Sequence, residues 1–189
     1  GGLRAGPFGS HGRKGMKNLV LIGLSGCGKS TFGRRLSRRL HMPLFDTDVM
    51  IEKKTGRIIA DIFAEDGEAA FRDMESACAR EAAAMEGVII STGGGMILRE
   101  KNMEELSRNG LVVFIDRHPS HILRSTTLGD RPLVQNDRDR LFRLYAERIA
   151  LYRRYAHITV PNHGGPRTLK RRILQILRRF RHETKTELS

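Results

Sequence analysis

The stretch Leu19-Val20-Leu21-Ile22-Gly23-Leu24-Ser25-Gly26-Cys27-Gly28-Lys29-Ser30-Thr31 decides the fold. Its first four residues are apolar without alternation, the pattern of a strand buried on both faces. The glycines and small residues that follow match G-x-x-x-x-G-K-[ST], in which consecutive backbone N–H groups turn inward around a phosphate. The loop then feeds a helix whose first N–H groups are unpaired and favour anions. In this pattern Gly26, Cys27, Gly28, Lys29, Ser30 and Thr31 surround the phosphates, Lys29 reaches the β- and γ-phosphates, and Ser30 offers its hydroxyl to Mg²⁺. A glycine-rich turn with no ligand would not require both the strand before it and the helix after it. The reading is a site for a nucleoside triphosphate.

Outward from the loop, Phe32, Leu36 and Leu40 recur every four residues while Arg34, Arg35, Arg38 and Arg39 occupy the other sides. That is an amphipathic helix packed on a sheet. Upstream, residues 1–15 are glycine-rich, basic and without apolar periodicity, and are expected to be a disordered arm left by processing or expression. Downstream, Pro43 stops the helix and Leu44-Phe45 leads a short strand into Asp46-Thr47-Asp48. If the chain stays extended there, Asp46 and Asp48 share one side. A strand's carboxyl end is where open α/β sheets bind ligands. One carboxylate then helps hold hydrated Mg²⁺ and the other accepts a proton from an attacking hydroxyl. Equally, Asp46 or Asp48 caps a helix over 49–54, and spacing does not separate the two readings.

Residues 58–86 predict a long alanine-rich helix interrupted near Gly67. Within it Arg72 has Glu68 four residues before and Glu75 three after, which a surface ion-pair ladder explains by itself. A strand over 88–91 runs into Thr92-Gly93-Gly94-Gly95, where bare backbone permits close approach by a ligand, or where the chain simply turns. Further strands are expected over 111–115 and 158–160. On a helix over 137–155, Arg148 lies among Leu144, Tyr145, Leu151 and Tyr152, and an arginine in an apolar stripe is poorly placed for mere solvation. The segment 125–136 lies between helices and contains Gly129, so it is read as a mobile lid able to exclude water. A last helix with Leu169, Ile173, Ile176, Leu177 and Phe180 inward ends the fold near 181, leaving 182–189 as a tail.

The chain has 189 residues, enough for one domain with a sizeable core. Its 34 basic and 21 acidic residues give a net charge of +13, and no acid precedes Asp46. Anionic partners are favoured. Nucleic acid is not expected, since zinc spacing, a basic-aromatic ribonucleoprotein motif and tryptophan are all missing. The two cysteines, Cys27 and Cys78, form neither a disulfide framework nor a metal spacing, which suits a reducing, cytoplasmic setting. Cys27 is either a small filler of a tight turn or a reactive thiol. No run approaches the roughly 18 apolar residues of a membrane span.

The phosphate loop over 23–31, Asp-Thr-Asp at 46–48, Phe-Arg-Asp-Met-Glu at 71–75, Ser-Thr-Gly-Gly-Gly at 91–95, Arg-Pro-Leu at 131–133 and the helix over 147–156 follow one another as in shikimate kinase, which this chain resembles over about residues 17–180. The resemblance implies a small P-loop kinase: a three-layer α/β/α fold with a parallel five-stranded sheet in the order 2-3-1-4-5. It implies ATP and Mg²⁺, with shikimate as acceptor, and a monomer. On these positions, Asp48 would touch substrate hydroxyls and act as base, and Asp46 would sit near metal-bound water. Arg72 and Arg148 would clamp the shikimate carboxylate, with Glu75 orienting Arg72 and Gly93, Gly94 and Gly95 lining the pocket. Arg131 would close over the transferring phosphoryl group, and Arg124 and Arg167 would flank adenine. From the residues alone, Arg167 could equally be one more cation of a basic helix. The pattern departs at Ile149-Ala150, where a proline often follows the helix arginine, and at Ser25 and Cys27, which replace the usual Met and Ser.

Two rivals follow from the same residues. A P-loop kinase for another small acid such as gluconate shares the nucleotide machinery without needing both Arg72 and Arg148 at one carboxylate. A nucleic-acid-associated NTPase would explain the charge and would bind polyanions with steep salt dependence.

Overall fold

The computed structural model describes residues 12, 14–126 and 135–186. Strand β1 (Asn18–Ile22) lies at the centre, paired in parallel with β3 (Ile89–Ser91) on one side and β4 (Gly110–Asp116) on the other. β2 (Leu44–Asp46) and β5 (Ile158–Pro161) complete the sheet as its edges, in the order β2-β3-β1-β4-β5. Leu19, Val20, Leu21 and Ile22 have no exposed surface, as the unalternated apolar run requires. Burying each such side chain is worth about 1.5–3 kcal/mol.

Helix α1 (Lys29–Leu40) buries Phe32 and Leu36 completely. It approaches closely through Gly33, where an added Cβ would stand 2.9 Å from a methyl of Leu44. The opposite side of α1 carries the arginines. Helix α2 (Thr47–Thr55) and helix α3 (Ile59–Ala83) share a smaller core of Met50, Ile51, Ile62, Phe71 and Cys78. α3 breaks at Gly67, whose φ of 83° is left-handed, where the sequence predicts the interruption. Helices α4 (Glu100–Arg108), α5 (Pro119–Thr126), α6 (Gln135–Tyr155) and α7 (Pro166–Thr186) follow. α1 packs with α7, and α3 with α4, to give the three-layer α/β/α arrangement.

Two expectations change. The chain turns helical at Thr47 rather than Val49, because the Asp46 carboxylate accepts from the backbone N–H groups of Asp48 (3.0 Å) and Val49 (3.3 Å). Asp46 and Asp48 are therefore not alternate residues of one strand; a helix cap brings them together. α7 also continues past 181 to Thr186, helped by ion pairs from Glu183 to Arg179 (2.9 Å) and Lys17 (3.8 Å). Most of the expected lid, Arg131 included, lies outside the described residues, as does nearly all of the expected arm.

Candidate active site

The carboxyl ends of β1, β2 and β3 open on a cleft of about 370 Å³. Its walls are the phosphate loop (Ser25, Gly26, Gly28, Lys29, Ser30, Thr31), the pair Asp46 and Asp48, and the turn after β3. The loop is held in shape from several directions. Lys29 is 9% exposed, and its ammonium donates to the carbonyls of Gly23 (2.7 Å) and Leu24 (2.8 Å). Gly28, at φ 109°, is left-handed, and an added Cβ would lie 2.4 Å from the amide nitrogen of Asn162. That amide donates to the Cys27 carbonyl at 2.7 Å, so the end of β5 grips the loop from behind. Cys27 is buried, its Sγ 3.7 Å from the Lys29 ammonium.

The turn after β3 organises the other half. Gly93 donates its N–H to the buried hydroxyl of Thr47 at 2.9 Å, tying the turn to α2. Side chains from three helices then stand against the glycines, closely enough at Gly93 and Gly95 to leave no room for a Cβ. An added Cβ at Gly93 would stand 2.6 Å from Asp48 Oδ1 and 2.9 Å from Glu75 Oε1. At Gly95 it would stand 2.0 Å from Arg72 Nη1. At Gly94 it would stand 3.6 Å from both Arg148 Nη1 and the Tyr152 hydroxyl. Asp48, Arg72 and Arg148 thus stand against three consecutive residues, with Arg72 also in the expected ion-pair ladder with Glu68 and Glu75.

Charge follows this packing. Glu75 is 1% exposed and bonded to Arg72, whose guanidinium also holds Glu68 at 3.0 Å. Burial pushes the Glu75 carboxyl upward, opposed by Arg72 and Arg148. Burial works to lower Arg72, but Glu75 and Glu68 outweigh it and leave the guanidinium above its usual range. Asp48 is pushed up from 3.8 to about 6, by burial first and then by Asp46 and Glu75, with Lys29 acting against them. Its Oδ1 is buried and has no hydrogen-bond partner among the described residues.

A second cavity of about 200 Å³ adjoins the first at Gly28, Thr31 and Arg117, and extends along His121, Asn162, His163, Gly164 and Leu169. Arg167 stands exposed at the start of α7 beside this stretch, and Arg124 is exposed near the end of α5. Sequence reasoning missed Thr47, Arg117, Tyr152 and Asn162. Each acts through a tertiary contact, and only Tyr152 carried a signal, as a polar-tipped residue in the apolar stripe around Arg148.

The family model for shikimate kinase matches residues 25–178. A shikimate kinase from Clostridium botulinum (strain Alaska E43 / Type E3) is 43% identical over 150 residues, covering 79% of this chain and 90% of that protein. One from Burkholderia pseudomallei (strain 1710b) is 42% identical over 146 residues, covering 76% and 79%. The structure of the shikimate kinase from Acinetobacter baumannii in complex with shikimate matches with a TM-score of 0.79 and 33% identity, covering 89% of this chain and 94% of that one. The parallel sheet and phosphate loop, with these matches, define an ATP-dependent phosphotransferase of the P-loop kinase class. The chain belongs to the shikimate kinase family.

Proposed function

We propose that this protein moves the γ-phosphoryl group of ATP to the 3-hydroxyl of shikimate, giving shikimate 3-phosphate and ADP. The observation that carries the reading is the placement of Arg72 and Arg148 against the adjacent residues Gly95 and Gly94, with Asp48 against Gly93. Two guanidinium groups converging on one turn suit a carboxylate, which each can grip through parallel hydrogen bonds. Asp48 then faces the alcohol end of the same molecule.

In this reading the nucleoside lies in the smaller cavity, with Arg124 and Arg167 at adenine, and the triphosphate runs into the cleft along Gly26, Cys27, Gly28, Lys29, Ser30 and Thr31. Among the described residues no cluster of three or more His, Cys, Asp or Glu side chains forms a metal cage. The donor set suits Mg²⁺ nonetheless, because that ion keeps several waters and leans on substrate phosphates, needing few protein oxygens. Ser30 and Asp46, both lining the cleft, would hold it directly or through water. When bound, Mg²⁺ supplies charge neutralisation on the phosphate oxygens.

The 3-hydroxyl oxygen attacks γ-phosphorus in line, the bond to the β–γ bridging oxygen breaks, and the hydroxyl proton passes to Asp48. The transition state is loose, so positioning and cations (Lys29, and Arg131 from the lid) carry most of the acceleration, with the base acting late. Burial tunes Asp48 for this by bringing it close to neutrality. Incubating the protein with ATP, Mg²⁺ and shikimate and following ³¹P NMR tests the assignment. A new phosphomonoester coupled to the C3 proton is expected, and phosphate on another hydroxyl or on water would overturn it.

A further inference from the structure

Arg117 follows β4 directly and stands where the two cavities meet, lining both. Its Nη1 reaches the Gly26 carbonyl of the phosphate loop at 3.5 Å, too long to be worth much as a hydrogen bond. Its Nε is buried with no hydrogen-bond partner among the described residues. Among the described residues it pairs with no carboxylate. The adjacent Asp116 is engaged elsewhere, accepting from Tyr145 at 3.0 Å and facing Arg153 at 3.9 Å. A half-buried guanidinium with an unmatched donor is costly unless acceptor oxygens come to it. The phosphate loop beside it is built to receive such oxygens.

We infer that Arg117 is a nucleotide-phosphate ligand, binding the phosphate nearest the nucleoside as ATP passes from the smaller cavity into the cleft. The inference rests on the nucleotide placement proposed above. It distinguishes Arg117 from Lys29, which serves the far end of the triphosphate, and from Arg72 and Arg148, which serve the acceptor. A planar guanidinium at the junction can span two oxygens of one phosphate while its stem walls the nucleoside side.

The test uses the full chain with Arg117→Gln and Arg117→Lys. ADP affinity by calorimetry and the KM for ATP should weaken about tenfold in Arg117→Gln, the size expected for losing one charge-assisted contact. The KM for shikimate should stay within about twofold, since no acceptor contact is touched, and Arg117→Lys should recover part of the ADP affinity by restoring charge without the fork. Unchanged ADP affinity in Arg117→Gln would overturn the inference. So would an equal rise in both KM values with a lowered Tm, which marks a brace for the loop. ADP binding is read without shikimate, so a wild-type chain that binds ADP but leaves shikimate unphosphorylated would sink the proposed acceptor and not the role of Arg117.

Discussion

The hydroxyl of Tyr152 donates to the carbonyl oxygen of Gly94 over 2.6 Å, joining α6 to the turn that receives Arg72 and Asp48. The Tyr152 ring is 1% exposed and stacks on Phe114, centroids 4.9 Å apart. Burial raises its phenol above the usual range, so it stays a neutral donor at all ordinary pH. Arg148 lies one helical turn earlier, and this bond therefore sets the spacing between its guanidinium and the glycine turn.

Tyr152→Phe keeps the ring and removes only the donor. Stability should fall by about 1 kcal/mol, the net worth of one hydrogen bond. The KM for shikimate should rise several-fold while that for ATP holds. Thermal denaturation with two-substrate kinetics checks both halves.

Gly95→Ala should separate folding from function. The added methyl would meet the end of Arg72, a flexible side chain able to swing aside only by leaving buried Glu75, so the fold should survive with a lowered Tm. The displaced guanidinium can no longer share the acceptor carboxylate, and losing that contact should raise the KM for shikimate tenfold or more, by roughly 1.5–3 kcal/mol. ADP affinity should not move.

The pH dependence follows from Asp48. Its value in the folded protein, about 6, lies above the ordinary 3.8, so its stabilising contribution is complete below pH 3.8 and is lost as pH rises through about 6. Catalysis by the proposed base would run the other way, because Asp48 would accept a proton only when ionised. The kcat/KM for shikimate should rise with pH and level off above about 6. Asp48→Asn should remove that inflection and lower kcat far more than ADP affinity.

Lys29→Met should abolish measurable turnover. In the proposed reaction it removes a cation that would neutralise developing phosphoryl charge, a loss of at least about 100-fold. It also strips the carbonyls of Gly23 and Leu24 of their shared donor, so ADP affinity should weaken as well. A steady-state assay with calorimetry reads both.

Local pattern reached far into this molecule. Four apolar residues in a row placed β1 at the sheet centre, the spacing of Phe32, Leu36 and Leu40 placed the buried face of α1, and Gly67 marked the break in α3. Arg148 was legible because an arginine inside an apolar stripe must face something. Asp46 and Asp48 were legible as a pair but not as a geometry, since a cap and a strand give the same spacing and only packing at Thr47 decides between them. Arg117 and Asn162 were not legible. Neither belongs to a periodic pattern, and each matters through a loop 91 or 135 residues away in the chain.

The most direct measurement is ADP release by the wild-type chain with ATP and Mg²⁺, with and without shikimate, beside the same assay with gluconate and with RNA. Rapid release with shikimate alone, lost in Arg72→Ala and Arg148→Ala, is the expected result. Release that ignores shikimate, or that responds equally to gluconate or RNA, would contradict the pairing of two guanidinium groups around one carboxylate.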